Sequence, residues 1–300
     1  MKSIVLTLSI LIGFFAYTQT IELFTLNQYT AANNTKTGFI SLSDKYDNEK
    51  FLDSIGILPK NASNFQRVPL ASIFRKRLLE GTKSTEKDTV YLYNYETNAL
   101  VKTPVSSIKT IAKINDYAHE EDLVQPANPN DFMYGMEVNN QVLKELGDVA
   151  RVFVYIGTSN PFKLQKLQPF VWKKISDKEF PFSKMNNKQQ ISTPIKDLKF
   201  HYYKSENYKY FVVSDMFSRH LVILDLIGNK VNEIVFSNSE SSSIAKIVEG
   251  TQYKTQFVGT LFESQPEVFL GFETIVFSCN KIYFVYPTLS PLTINCDNRH

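Results

Sequence analysis

Four histidines carry much of the acid–base chemistry that this sequence offers, since histidine titrates nearest to neutral pH. Asp215 and His220 lie five residues apart, and a hairpin that folded them together would form the His–Asp pair that general base catalysis uses. Neither a G-x-S-x-G serine nor a cysteine nucleophile in a recognised context accompanies them. We therefore keep Asp215 and His220 as weak catalytic candidates and favour a structural histidine at the start of a strand.

The other polar clusters give weaker indications of a site. Residues 119–122 (His-Glu-Glu-Asp) have types that transfer protons or bind metals, but consecutive side chains diverge and the H-E-x-x-H spacing is absent, so we predict a solvated loop. His201 alternates with bulky apolar residues and either faces solvent or is a satisfied core residue. The glycines match no nucleotide-binding or calcium loop, so the sequence predicts no cofactor and no metal.

Two cysteines, Cys279 and Cys296, lie near the C-terminus. An even number in an exported chain favours a disulfide, and closing a loop of this length stabilises a fold by roughly 3 kcal/mol on the chain-entropy model. A strand over 281–286 and a turn over 287–291 would bring the two sulfurs together. A metal pair with His300 or a reactive thiol are the alternatives, but the sequence has no C-x-x-C motif and no zinc spacing.

The N-terminus predicts export. Lys2 precedes an apolar run over 4–15, which spans about 18 Å as a helix and is too short for a hydrocarbon core of about 30 Å. Small residues at 16 and 18 suit signal peptidase, so we predict a signal peptide over 1–18 and a mature chain that begins at Gln19; an uncleaved anchor or a buried helix is the alternative. No cysteine follows the apolar run, which argues against a lipoprotein, and no second apolar run predicts a transmembrane span.

The amino-acid composition predicts a globular chain, because 43% of the residues are hydrophobic and 21% are charged, which is enough apolar residue content to bury a core. The formal charge of +3 falls to +2 when Lys2 is removed with the signal peptide. Without a basic stripe that could follow a phosphate backbone, we expect no nucleic-acid partner. The densest basic cluster, residues 75–77, stands beside Glu80 and is expected to form a solvated helix face.

The first half of the chain predicts mixed elements. Residues 19–47 are rich in Thr and Asn and include one strand-like piece, 38–42, which we expect at a sheet edge or in a tether. Next come a helix over 68–79 with Pro69 in its first turn and Gly81 at its end, a strand over 89–95, an ambiguous stretch over 105–118 and a polar loop over 119–131.

The second half predicts strands. A helix over 138–146 leads to a strand over 151–156, and the further predicted strands are 200–203, 208–213, 221–226, 231–236, 255–262, 268–272, 275–278 and 282–286. Gly228-Asn229 between two β-branched runs indicates a hairpin. Connections this short exclude a parallel sheet over 199–286, so the fold class is α+β, predominantly antiparallel β in the C-terminal half, as a meander, sandwich or barrel-like sheet. A propeller is disfavoured because no repeat of about 40 residues is present.

Two organisations fit this pattern: a mixed region over 19–130 followed by a mainly antiparallel region over 131–300, or one continuous domain over 19–300. The leading functional hypothesis is an exported protein that binds or scaffolds through a sheet face or its loops, with a protein or glycan partner and without catalysis. The alternative is an exported hydrolase of polymer or glycan, since any two of the 30 acidic residues could converge about 5–9 Å apart.

Overall fold

The computed structural model describes residues 21–30, 34–46, 67–115, 131–186, 191, 193–250, 254–276 and 278–297. The predicted signal peptide (1–18), the 119–122 cluster and His300 lie outside the described residues. In chain order the strands are β1 Leu23–Thr25, β2 Asn27–Thr30, β3 Lys36–Ser41, β4 Arg67–Pro69, β5 Thr89–Asn94, β6 Ala99–Pro104, β7 Lys109–Ile114, β8 Phe132–Val138, β9 Val152–Gly157, β10 Gln168–Pro169, β11 Lys173–Lys174, β12 Lys199–Lys204, β13 Tyr208–Ser214, β14 Ser218–Asp225, β15 Lys230–Ser237, β16 Ser242–Ile244, β17 Phe257–Gly259, β18 Val268–Leu270, β19 Glu273–Ile275, β20 Lys281–Phe284 and β21 Leu292–Asn295. The helices are α1 Ser72–Gly81 and α2 Asn140–Leu146.

The fold is β-rich and barrel-like, which confirms the predicted class. Nine strands form a curled sheet in the order β10, β17, β18, β20, β21, β1, β9, β5, β6. A five-stranded sheet (β2, β3, β8, β7, β4), a second five-stranded sheet that runs as a meander (β11 to β15) and the pair β16–β19 complete it. The division at residue 130 stays a prediction, although the nine-stranded sheet takes strands from both sides of that residue.

Period-two alternation sends successive side chains of β5 to two different cores. Tyr91 and Tyr93 point into the curled sheet, where they join a cluster that includes Phe153 and Phe257. Val90 and Leu92 point the other way, into the core shared with α1, α2 and the N-terminal sheet. A strand buried on both faces must be apolar at nearly every position, which residues 89–94 (Thr-Val-Tyr-Leu-Tyr-Asn) satisfy up to their polar ends.

The antiparallel prediction for residues 199–286 is confirmed, because every strand pair formed within that range is antiparallel. The predicted hairpin joins β14 to β15. Gly228 adopts a φ of 95°, and its amide donates to the Asp225 carbonyl at 3.2 Å. The Asp225 carboxylate also accepts a hydrogen bond from the Asn229 amide at 2.7 Å, so the turn is held by its own residues.

The expectation of a sheet edge or tether for residues 19–47 holds for β2, which is an edge strand of its sheet, and is wrong for β1 and β3. β1 lies inside the nine-stranded sheet, parallel to β21 and antiparallel to β9, and β3 lies between β2 and β8. Burial explains the placement, since Leu23, Phe24 and Leu26 are each at most 5% exposed. Thr25 and Thr30 end β1 and β2, and Asn27 begins β2.

The two helices also begin later than predicted. Val68 and Pro69 belong to β4, because a residue before proline favours extended backbone, and α1 begins at Ser72. α2 begins at Asn140, after Asn139 accepts a capping hydrogen bond from the Val142 amide at 3.0 Å. The ambiguous stretch 105–118 contains the 3₁₀ turn Val105–Ser107 and β7 in its described part.

The prediction that residues 75–77 form a solvated basic face of α1 is wrong for two of these three cations. Arg77 is only 9% exposed. The Arg75 guanidinium donates to both Glu86 carboxylate oxygens at 2.7 Å and to the carbonyls of Val105 and Ile108 at 2.6 Å. Arg75 therefore ties the helix to the 3₁₀ turn instead of facing water.

The predicted disulfide is confirmed: Cys279 and Cys296 are bonded, with their Cα atoms 5.6 Å apart. No helix among the described residues is long and apolar enough to cross a membrane.

Candidate ligand-binding cleft

A cleft of about 550 Å³ opens at one end of the curled sheet. We call it the mouth cleft. Strand register puts the end of β5 beside the start of β9, and the end of β18 beside the start of β20, so these four termini surround the opening. Tyr95, Arg151, Leu270 and Lys281 stand at those termini and line the cleft.

The floor of the mouth cleft is apolar and buried. Its side chains are each at most 8% exposed, and they are Tyr95, Phe153, Leu270, Phe272, Ile282 and Ile294. Tyr95 stacks on Phe153 with ring centroids 4.7 Å apart and meets the edge of Phe257 at 5.2 Å. These rings hold one another in place, so the floor is fixed by the protein's own packing.

The cleft exists because one strand changes partners at Gly271. β18 pairs with β20 as far as Leu270 opposite Ile282, and beyond Gly271 the chain pairs with β16 instead. The Ala245 amide donates to the Phe272 carbonyl at 2.9 Å on that new edge. Gly271 has a φ of 84°, and a Cβ built on it would lie 2.0 Å from the Thr255 carbonyl oxygen. Only glycine fits both the conformation and the space.

The disulfide secures another wall of the cleft. Cys279 precedes Asn280 and Lys281, and its bond to Cys296 ties that segment to the end of β21. The Ile294 amide donates to the Asn280 carbonyl at 2.9 Å. The chain after β21 is held in turn by Asp44, whose carboxylate accepts hydrogen bonds from the amides of Cys296 and Asp297 at 3.1 and 2.7 Å.

Ala245, Lys246 and Val248 line another wall of the cleft, and we call residues 245–250 the 245–250 segment. At its start, buried Arg219 donates from Nη1 to the Ala245 carbonyl and from Nε to Ser214 Oγ. Near its end, the Glu249 carboxylate lies 3.3 Å from Nε2 of His201. The backbone of Glu249 also pairs with that of Trp172 as a single parallel β-bridge. Two basic residues of the meander therefore hold this wall against the rest of the protein.

Burial sets the electrostatics of these two contacts. Desolvation lowers the pKa of Arg219 to about 10, which still leaves the guanidinium charged at neutral pH. Desolvation also lowers the pKa of His201, an effect that outweighs the opposing influence of Glu249. We therefore expect His201 to be neutral at neutral pH and to meet Glu249 through a hydrogen bond rather than an ion pair.

Charged groups are distributed unevenly around the cleft. The described lining contains three cations, Arg151, Lys246 and Lys281, and one carboxylate, Glu273. The Tyr283 hydroxyl donates a hydrogen bond to that carboxylate, and burial followed by this contact raises the pKa of Tyr283. Lys246 and Lys281 are exposed, and neither forms an ion pair with any residue that the structure describes.

No protein-family model matches this chain, and no curated protein or solved structure matches it either. The functional interpretation therefore depends on the residues of the cleft and on the chemistry that they can perform.

The structure does not join the two catalytic candidates by a hydrogen bond. One oxygen of Asp215 accepts hydrogen bonds from the amides of Phe217 and Ser218 at 2.7 and 2.6 Å, and the other accepts one from the Thr193 hydroxyl at 3.2 Å. His220 is 1% exposed, and neither of its ring nitrogens has a hydrogen-bond partner in the described part of the chain. Neither residue lines the mouth cleft. Asp215 thus fixes the β13–β14 turn, while the imidazole of His220 packs inside the meander.

A metal site does not emerge from the described residues either, since no group of three His, Cys, Asp or Glu side chains converges among them.

Sequence reasoning missed the residues of the mouth cleft. Its lining comes from segments around 95, 151, 246, 272 and 282, and no local pattern marks them as neighbours. One sequence feature could have indicated the site: Gly271 interrupts the apolar strand run 268–272, and a glycine inside a strand often marks a bulge or a close approach of backbone.

Proposed function

We propose that this chain is an exported binding protein that takes a ligand into the mouth cleft. The observation that carries the proposal is the combination of a buried aromatic floor with a polar, charged rim at the open end of a curled sheet. Ligand sites in proteins occupy about 300–1,000 Å³, are mostly apolar with a few polar groups, and often lie in the mouths of barrels. The cleft, at about 550 Å³, has this size and this composition.

Binding is favoured over hydrolysis by the chemistry of the rim. Glycoside hydrolysis commonly needs two carboxyl groups about 5–9 Å apart, one on each side of the scissile bond. The described lining residues include one carboxylate, that of Glu273, and it already accepts a hydrogen bond from Tyr283. The cleft is better equipped to hold a ligand than to cleave it.

Export is part of the proposal. It is supported by the apolar run behind Lys2 and by the Cys279–Cys296 disulfide, because disulfides persist mainly in oxidising compartments. Mass spectrometry of the secreted chain is expected to find Gln19 at the N-terminus. A secreted product that retains Met1 would contradict signal cleavage.

A neutral probe tests the binding proposal. N-phenyl-1-naphthylamine is an uncharged aromatic molecule whose fluorescence rises in apolar surroundings, and we expect one molecule to bind per chain. The substitution Ala150→Trp places a large ring on the cleft wall, at an exposed position in the 3₁₀ turn Val149–Arg151, and should weaken binding at least tenfold.

The matched control is Ala71→Trp, at an exposed position that does not line the cleft. It should bind the probe like the parent protein. Equal binding by both tryptophan variants and the parent would show that the probe sits elsewhere and would overturn the proposal, as would the absence of any binding.

A further inference from the structure

The mouth cleft presents two cations that form no ion pair with any described residue. Lys246 extends from the 245–250 segment and Lys281 is the first residue of β20, so the two ammonium groups come from different walls. Glu273 is the one carboxylate in the described lining, and it accepts a hydrogen bond from the Tyr283 hydroxyl rather than from either lysine. Neither lysine forms an ion pair with a described residue, so together they outweigh the single negative charge of Glu273.

Arg151 is the third cation of the described lining, and the carboxylates of Glu96 and Asp148 lie 3.5 and 3.8 Å from its Nε. Its guanidinium donates to the Lys254 carbonyl at 2.7 Å and stacks over the Phe257 ring at 5.1 Å, so it is fixed in position. Because these two carboxylates offset the charge of Arg151, the two lysines less Glu273 leave the described lining with a net charge of +1.

The positive charge of the rim and the apolar floor of the cleft together indicate the chemical class of the ligand. A positive potential at the mouth of a partly enclosed, low-dielectric cleft attracts an anion more strongly than the same charges on an open surface. The stacked rings of Tyr95 and Phe153 offer an apolar bed behind it. We propose that the ligand is a small amphipathic organic anion: an aromatic or aliphatic body with a carboxylate, sulfate or sulfonate group that lies between Lys246 and Lys281.

This inference rests on the proposed function, and it goes further by naming the charge and shape of the ligand. A matched pair of probes separates the two. 1-Anilinonaphthalene-8-sulfonate is N-phenyl-1-naphthylamine with a sulfonate added, so the difference between their affinities reports the anionic group alone. At low ionic strength the sulfonate is expected to bind the parent protein about five- to tenfold more tightly than the neutral probe.

The double substitution Lys246→Gln/Lys281→Gln should remove that advantage, while the affinity for the neutral probe changes by less than about twofold. Lys173→Gln/Lys204→Gln is the matched control, because it removes the same net charge from exposed positions of the meander that do not line the cleft. It should retain the preference for the sulfonate. Added salt should weaken the sulfonate only, since screening acts on the charge.

Three outcomes would overturn the inference while leaving the cleft as a binding site: equal affinity for both probes, equal loss of both probes in the Lys246/Lys281 variant, or the same loss in the control variant. Failure of both probes to bind the folded parent protein would instead contradict the proposed function and remove the inference with it.

Discussion

Replacing both cysteines, Cys279→Ala and Cys296→Ala, is expected to destabilise the protein by about 3 kcal/mol at 25 °C. The bond closes a loop whose ends are 17 residues apart, and the chain-entropy relation assigns about 3 kcal/mol to a loop of that length. Unfolding entropy of about 2.1 cal/mol/K per residue gives roughly 0.6 kcal/mol/K for a mature chain of this size, so the melting temperature should fall by about 5 °C.

Urea titration followed by the fluorescence of Trp172 measures this change directly. Trp172 is the single tryptophan, is 3% exposed and packs against Phe272 on the floor of the cleft, so its emission should report unfolding of this region. The parent protein in a strong thiol reductant serves as control and should reproduce the loss without any substitution. A double variant within about 1 kcal/mol of the parent would refute the claim that the bond constrains the unfolded chain.

Two further predictions concern backbone space and a buried imidazole. Gly271→Ala should cost several kcal/mol and abolish probe binding, because the added Cβ meets the Thr255 carbonyl oxygen at 2.0 Å. Gly147→Ala is the control: it has open space around it and should cost only the backbone strain of a φ of 77° and a ψ of −123°, about 1–3 kcal/mol. Equal losses in a urea titration would contradict the packing argument. Burial lowers the pKa of His220, so the folded state binds fewer protons than the unfolded state, and stability falls as the pH drops through the unfolded value of about 6.5 towards the lower folded value. His220→Leu removes this proton uptake. Between pH 7.5 and pH 5 the unfolding free energy of the variant should therefore fall less steeply than that of the parent, and the two slopes should differ by up to about 1.4 kcal/mol per pH unit. Identical slopes would show that His220 is protonated equally in the folded and unfolded states.

Local pattern predicts much of the C-terminal half. Alternating apolar residues and short polar breaks correctly indicate β12 to β15, because each strand pairs with its neighbour in the chain and the pleat puts every second side chain in a core. The Gly228-Asn229 turn and the disulfide are predictable for the same reason, since both depend on residues close together in the sequence.

The pairing of strands that are far apart in the sequence cannot be predicted in this way. β1 lies parallel to β21, with Leu23 opposite Ile294, and no pattern within either strand specifies a partner more than 250 residues away. The mouth cleft has the same origin, because Tyr95, Phe153 and Phe272 read as ordinary core residues in their own strands. Lys246 and Lys281 look like ordinary solvated lysines in the sequence, and only the fold brings them to the lining of one cleft.

The central claim is that the mouth cleft binds a ligand, and amide chemical-shift mapping with N-phenyl-1-naphthylamine tests it most directly. We predict that the perturbed amides cluster at Arg151, Gly271 to Ile275 and Lys281. Other apolar groups compete for the probe: Met216 and Phe217 at the β13–β14 turn are 77% and 67% exposed, and Ile227 at the β14–β15 turn is 87% exposed. Shifts confined to those turns, with the cleft amides unchanged, would contradict the account.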